Sequence, residues 1–124
     1  MLKMVALLSR KPGMSLEEFR DYYENRHVPL IESIATETSE YRRSYVDFST
    51  VFTGGLAGAP SEPWTPDFDV ITELWYDSAE AMARARAELM RPENARRVAA
   101  DEENFLDRSR KRMFMVDEFG AIIG

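Results

Sequence analysis

The chain opens on a largely apolar stretch, Leu2-Lys3-Met4-Val5-Ala6-Leu7-Leu8-Ser9, which stops at Arg10, Lys11, Pro12 and Gly13. That density of apolar residues predicts a strand over 2–9 buried on both faces, and Lys11-Pro12-Gly13 predicts a turn. The period then changes. Leu16, Phe19, Tyr23 and His27 recur at i, i+3, i+7 and i+11, one face of an α-helix. Ser15 stands three residues before Glu18, which makes a capping box, and Met14 and Phe19 take the two positions of a hydrophobic staple. The helix is therefore predicted to begin at Ser15. Pro29 is expected to end or kink it near His27 and Val28, because the residue before a proline is pushed out of helical geometry. A short turn from Leu30 to Ile34 follows.

Residues 40–52 alternate, with Tyr41, Arg43, Tyr45 and Asp47 on one side and Arg42, Ser44, Val46 and Phe48 on the other, predicting one long strand with two polar faces. A Gly-, Ala- and Pro-rich loop carries Gly54, Gly55, Pro60, Pro63, Trp64 and Pro66. Loops this long in small domains are often functional or serve as dimer arms. Asp69 to Tyr76 is β-branched and aromatic, a third strand. Asp77, with Glu80 three residues on, is expected to cap a second helix. That helix runs to Met90, is interrupted by Pro92, and resumes from Glu93 to about Asp107. Arg112 to Phe119 reads as a fourth strand and Gly120 to Gly124 as an apolar tail. The order is βαββαβ, an α+β class, in a single domain spanning residues 1–124.

Composition narrows the chemistry. The 124 residues carry a net charge of −6, no cysteine and one histidine. An acidic chain is a poor partner for nucleic acid or anionic membrane, since both are recognised through basic groups. The lack of cysteine excludes disulfides, thiolate nucleophiles and Cys-ligated metals. A metal site would rest mainly on carboxylates, and no EF-hand spacing is present. The first apolar run is too short to span a bilayer and reads as a strand, not a signal peptide, so the expected location is the cytoplasm. Gly54-Gly55 lacks the remainder of a phosphate-binding loop, and neither a nucleophile elbow nor a zinc-protease motif occurs. The seven methionines, among them Met82, Met90, Met113 and Met115, read as adaptable core filler. Arg84, Arg86, Arg91, Arg96 and Arg97 interleave with acids as a solvated helix face.

Two polar side chains stand on otherwise apolar helical stripes. His27 shares its stripe with Tyr23, so a group that titrates near neutrality points inward beside a phenol. It is either a proton-transfer group facing a pocket or a core histidine bonded to backbone, and Tyr23 is either a donor or a core aromatic. Asp101 follows Asn94 and Val98 and precedes Phe105 at i, i+4, i+7 and i+11. A carboxylate there costs stability unless it is paired or performs a task. The alternatives are a cap for the next turn, an ion pair with Arg97 or Arg108, or slight misphasing of the helix after Pro92. Glu102 and Glu103 fall on other faces and read as solvated charges. Trp75 reads as wall material next to the core.

Three separated blocks then resemble the EthD-domain family. They are Arg10-Lys11-Pro12-Gly13-Met14-Ser15-x-x-Glu18-Phe19-x-x-Tyr22-Tyr23-x-x-x-His27-x-Pro29-Leu30, Phe68-Asp69-x-x-x-Glu73-Leu74-Trp75-Tyr76, and Ala100-Asp101-Glu102-Glu103-Asn104-Phe105-x-Asp107. The resemblance covers nearly the whole chain and implies the dimeric α/β-barrel superfamily. That implies a ferredoxin-like fold with a four-stranded antiparallel sheet, two such sheets packing face to face in a homodimer. It also implies a pocket between sheet and helices in each subunit, with His27 and Asp101 on the pocket side. The superfamily's haem position does not match His27, so no cofactor is expected. The expected activity is acid–base chemistry on a small aromatic, polyketide-like or lactone substrate, of the cyclase, isomerase, dehydratase or decarboxylase kind. In that reading His27 is base or acid, Asp101 orients it or carries a second proton, and Tyr23 or Tyr45 donates to an enolate. Trp75, Phe105, Phe19 and Tyr41 would line the substrate. The rivals are a cofactor-free monooxygenase of phenols or anthrones and a non-catalytic ligand-binding accessory protein.

Overall fold

The computed structural model describes residues 1–52 and 64–121. The loop residues Gly54, Gly55, Pro60 and Pro63 and the tail residues Ile122 and Ile123 lie outside the described residues. The elements are β1 (Leu2–Leu8), α1 (Leu16–Tyr22), α2 (Val28–Ile34), β2 (Glu40–Tyr45), β3 (Val70–Tyr76), α3 (Ala79–Met90), α4 (Pro92–Glu102) and β4 (Arg112–Val116). The strands form one four-stranded sheet in the order β2-β3-β1-β4, antiparallel throughout. This is the βαββαβ, α+β arrangement that the chain's periodicities predict. No described helix is long and apolar enough to cross a membrane.

Strand alternation sorts the sheet into two faces. Ala6, Leu8 and Val70 pack with Phe19, Tyr23, Val28, Phe105 and Leu106 in one cluster. Leu2, Met4, Leu74 and Tyr76 pack with Ala35 and Ala85 in a second. The intervening residues Lys3, Val5, Leu7, Glu73 and Trp75 lie on the other face, over which no described helix packs. Burial of β1 on both faces is therefore partial: Ala6 is 3% and Val5 8% exposed, while Leu7 is intermediate.

Four boundaries differ from the pattern, each for a local reason. The second strand stops at Tyr45 because Asp47 Oδ1 accepts from Ser49 N (3.0 Å) and Ser49 Oγ (2.6 Å), turning the chain into a 3₁₀ segment, Phe48–Thr50. The second helix is capped by Ser78, whose Oγ accepts from Ala81 N, rather than by Asp77. The helical pattern after Pro92 ends at Glu102, where Leu106 N bonds back to Glu102 O (2.8 Å) and Arg10 bridges Leu106. β4 ends at Val116, short of Phe119.

The first helix begins as its cap predicts: Glu18 N donates to Ser15 Oγ (3.0 Å) and Ser15 N to Glu18 Oε1 (3.1 Å). Pro29 neither ends nor visibly breaks it. Residues Tyr23–His27 form a π-helical turn in which Val28 N–H reaches Tyr23 O, and α2 continues directly with Pro29 in its first turn. A proline lacks the N–H for the usual bond and crowds the carbonyl four residues back. A single wide turn just before it absorbs both effects.

Candidate functional site

The predicted stripe does face inward. Phe19, Tyr23 and His27 are 0%, 1% and 5% exposed. The wide turn sits on the last stretch of this stripe and aims His27 at α4, where Asp101 meets it. His27 Nδ1 lies 2.7 Å from Asp101 Oδ2, and the side chains are 6% and 17% exposed. The second carboxylate oxygen, Oδ1, accepts from the Tyr22 phenol at 2.6 Å, and Asn104 Nδ2 donates to that phenol oxygen at 2.9 Å. A carboxylate can only accept, so His27 Nδ1 carries the proton and Nε2 the lone pair. Nε2 makes no hydrogen bond among the described residues. Phe105 lies against the imidazole at 4.8 Å between ring centroids, and Tyr23 meets it edge-on at 5.6 Å.

Burial holds the His27 pKa below its ordinary value, and the hydrogen bond that Nδ1 donates to Asp101 opposes that shift only in part. Glu102 and Lys111 act on the imidazole from further off with opposite signs. Glu102 is not the solvated charge its position on the helix suggests. It is 5% exposed and bonded to Lys111 Nζ (2.5 Å), with Arg108 Nε at 3.5 Å. A buried carboxylate needs such partners, and the turn after α4 brings both cations to it.

Two further polar groups lie around the same aromatic cluster. Arg43 makes a two-pronged contact with Glu24, Nε to Oε2 at 3.0 Å and Nη2 to Oε1 at 2.6 Å. Tyr45 donates to Glu24 Oε2 at 2.6 Å. The guanidinium holds the Glu24 carboxyl below the usual carboxylate range, while burial and Glu24 push the Tyr45 phenol far up. Tyr45 is thus close to Tyr23, with ring centroids 6.3 Å apart, but its proton is committed to Glu24 and is not free for an enolate. Tyr23 itself lies 2.6 Å from Thr72 Oγ1 and 3.0 Å from the Tyr41 hydroxyl, and burial pushes its pKa up to about 12.

Of the residues expected at one site, the structure brings together His27, Asp101, Tyr23, Tyr41, Tyr45, Phe19 and Phe105. Phe19 and Phe105 are fully buried, so their faces are taken by protein and neither presents a surface to a ligand. Trp75 is elsewhere. It lies on the opposite face of the sheet, with Lys3 Nζ 4.6 Å above its ring and Nε1 donating to Glu118 at 2.8 Å. Strand alternation decides this: Leu74 and Tyr76 face the helices, so Trp75 cannot. Tyr22, Asn104, Glu24, Arg43 and Thr72 take part without having been singled out. Tyr22 and Asn104 lie inside the family-like blocks, whereas nothing in the local pattern marks Glu24, Arg43 or Thr72. Among the described residues no group of three or more His, Cys, Asp or Glu could hold a metal ion.

Among the described residues, three of the surface depressions lie near these elements. One runs along α1 past Leu16, Arg20 and Glu24, and another lies under the loop Arg10–Ser15. The third, about 220 Å³, lies between the end of α2 and β2 and is lined by Ile31, Ala35, Thr38 and Tyr41 among others. His27 and Asp101 line none of these three.

The fold and the inward His–Asp pair define an α+β protein of ferredoxin-like topology with a polar cluster between helices and sheet. The EthD domain model matches residues 11–109, and the chain belongs to that family. Solved structures agree in fold. An EthD family protein of Bacillus halodurans is 18% identical over 96% of this chain and 100% of its own, with a TM-score of 0.59. A protein of Arabidopsis thaliana is 19% identical over 99% and 100%, with a TM-score of 0.63. A NIPSNAP-like domain protein of Burkholderia xenovorans is 17% identical over 99% and 89%, with a TM-score of 0.61. A comparison with curated proteins gave no match.

Proposed function

We propose that this EthD-family chain is an acid–base enzyme of small molecules, with His27 as its proton-transfer group. The observation that carries the reading is the 2.7 Å contact between His27 Nδ1 and Asp101 Oδ2, inside a helix–sheet interface. Asp101 holds the ring so that Nε2 is the basic nitrogen, and burial keeps it unprotonated at neutral pH. Nε2 takes a proton from carbon next to a carbonyl, the C–H electron pair moves into the carbonyl to form an enolate, and Asp101 stabilises the imidazolium. Return of the proton to another carbon gives isomerisation. Loss of a β-leaving group gives elimination, and attack of the enolate on a second carbonyl gives cyclisation. With a β-keto acid the enolate forms instead by loss of carbon dioxide, the C–C electron pair moving into the carbonyl, and His27 Nε2 in its protonated form then delivers a proton to that carbon. These steps need no metal or organic cofactor. The substrate class is an aromatic, polyketide-like or lactone compound. The working form is a homodimer closed over the helix-free sheet face, where Leu7 and Trp75 are half-buried and Phe114 is exposed. Sedimentation at micromolar concentration tests the dimer, and a monomer overturns it.

The enzymatic reading is tested by solvent deuterium exchange into 1,3-diketones and γ- and δ-lactones, followed by NMR. Asn can keep a donor at the Nδ1 position while removing the base. His27→Asn is therefore expected to slow enzyme-dependent exchange by about 10²–10⁴-fold with little loss of fold. Exchange equal in both proteins removes His27 from the mechanism. Dioxygen uptake with phenols or anthrones would instead mark a monooxygenase. A second reading has its own observation: His27 is 5% exposed and packed against Phe105 and Tyr23. In that reading the polar cluster specifies packing in a non-catalytic ligand-binding protein, and His27→Asn alters melting without altering ligand binding.

A further inference from the structure

The two edges of the sheet are built differently. The order β2-β3-β1-β4 leaves β2 and β4 with one neighbour each. An edge strand offers unpaired backbone groups, and charges along it keep other strands away. β2 is guarded in this way, since Glu40, Arg42 and Arg43 are among its six residues. β4 is not. Met113, Phe114, Met115 and Val116 follow one another without a charge or a proline, and no bulge interrupts their register with β1. Met113, Phe114 and Met115 are 48%, 45% and 46% exposed.

Register sets Met113 and Met115 opposite Ala6 and Met4, on the side the helices occupy, and Phe114 opposite Val5, on the helix-free side. The strand is therefore half-exposed on both faces as well as open along its free edge, and a second sheet laid on one face leaves the other two uncovered. Its flanks carry opposite charges. Arg110, Lys111 and Arg112 precede the apolar run, and Asp117 and Glu118 follow it. Arg112 is held by Asp67, Lys111 by Glu102, and Glu118 by Trp75 and Lys3. Arg110 and Asp117 make no side-chain hydrogen bond or ion pair among the described residues.

We propose that β4 pairs antiparallel with β4 of a second copy of this chain, about a two-fold axis at Phe114. Such a contact is isologous, so each interaction in it occurs twice. Residues directly opposite each other share a face. The register centred on Phe114 sets Lys111 opposite the partner's Asp117, Arg110 opposite the partner's Glu118 and Met113 opposite the partner's Met115. The neighbouring registers that also match faces are poorer. Centred on Met113, no cation stands opposite an anion, and centred on Met115, only Arg112 and Glu118 do. Parallel pairing would set like charges side by side, and antiparallel pairing with the partner's β2 would set the acidic end of β4 against Glu40. Two sheets that face each other close through their edges, so this seam is how the proposed homodimer is joined. It rests on that homodimer and not on the chemistry of His27.

The chain has no cysteine, so single introduced thiols report their neighbours directly. Met113→Cys and Met115→Cys, mixed while reduced and then treated with oxidised glutathione, are expected to give a covalent dimer. Neither variant alone should do so, because across the seam position 113 meets 115 and not itself. Both side chains lie on the helix side, so packing of the helix-free faces alone cannot bring them together. Asp117→Lys sets like charge against the partner's Lys111. It is expected to raise the dimer dissociation constant about tenfold at low salt, and by less as salt screens the contact, with an unchanged circular dichroism spectrum. A wild-type monomer at micromolar concentration overturns the homodimer and this seam together. A wild-type dimer without the mixed cross-link, with either variant cross-linking alone as fast as the mixture, or with equal dissociation for Asp117→Lys overturns the seam and leaves the homodimer standing.

Discussion

The Tyr22 phenol donates to Asp101 Oδ1 at 2.6 Å, from the residue next to Tyr23, which points into the core instead. Consecutive helical residues are about 100° apart, so one tyrosine braces the carboxylate while its neighbour packs beneath His27. Asn104, just beyond α4, orients the phenol in turn, giving a line Asn104, Tyr22, Asp101, His27.

Tyr22→Phe removes the brace and leaves the His27–Asp101 contact. The freed carboxylate oxygen is part-exposed and regains water, so stability is expected to fall by only about 1 kcal/mol. Deuterium exchange should fall about tenfold, through looser aim of the imidazole. Denaturant midpoints and exchange rates on the same samples check this. A tenfold loss of exchange with an unchanged pH profile places Tyr22 in ring positioning.

Asp101→Asn tests which nitrogen carries the proton. An asparagine can turn its amide N–H toward Nδ1 and so force the proton onto Nε2. With one histidine in the chain, ¹⁵N NMR reports the tautomer without assignment ambiguity. The wild type is expected to be protonated at Nδ1 and the variant at Nε2, with exchange lowered by at least tenfold. A wild-type Nε2–H tautomer at neutral pH would contradict the geometry.

The pH dependence follows from the direction of the His27 shift. Its folded pKa lies below the ordinary 6.5, so between the two values the unfolded chain binds a proton that the folded chain does not. Stability therefore rises with pH up to about 6.5 and, for this group, is constant above it. As pH falls below about 6.5, the favourable contribution of the neutral buried ring is lost. Thermal melts of wild type and His27→Asn across pH 5–8 check this: the gap between them should change below 6.5 and stay level above.

Ser15→Ala tests the start of the first helix. The Ser15 Oγ acceptor for Glu18 N is lost, while the backbone remains able to form α1. The expected cost is on the order of 1 kcal/mol. Equal denaturant midpoints would mean that the capping box contributes nothing in the whole protein.

The sequence alone determined those features that are written in short-range periodicity. The inward stripe of Phe19, Tyr23 and His27, the cap at Ser15, the βαββαβ order and the isolated position of Asp101 on an apolar face all repeat within one or two turns. Local geometry therefore fixes which way such residues point. Tertiary structure decided what those residues meet. His27 and Asp101 are 74 positions apart and Tyr23 and Thr72 are 49 apart, so only docking of α1 and α4 on the sheet makes them partners. The burial of Glu102 required the turn that returns Lys111 and Arg108 to it, and the face chosen by Trp75 depended on strand register, in which one residue reverses the side. The wide turn before Pro29 belongs to the same class. A proline marks a break in the pattern, but packing of Phe19 and Val28 on one core decides that the helix continues through it.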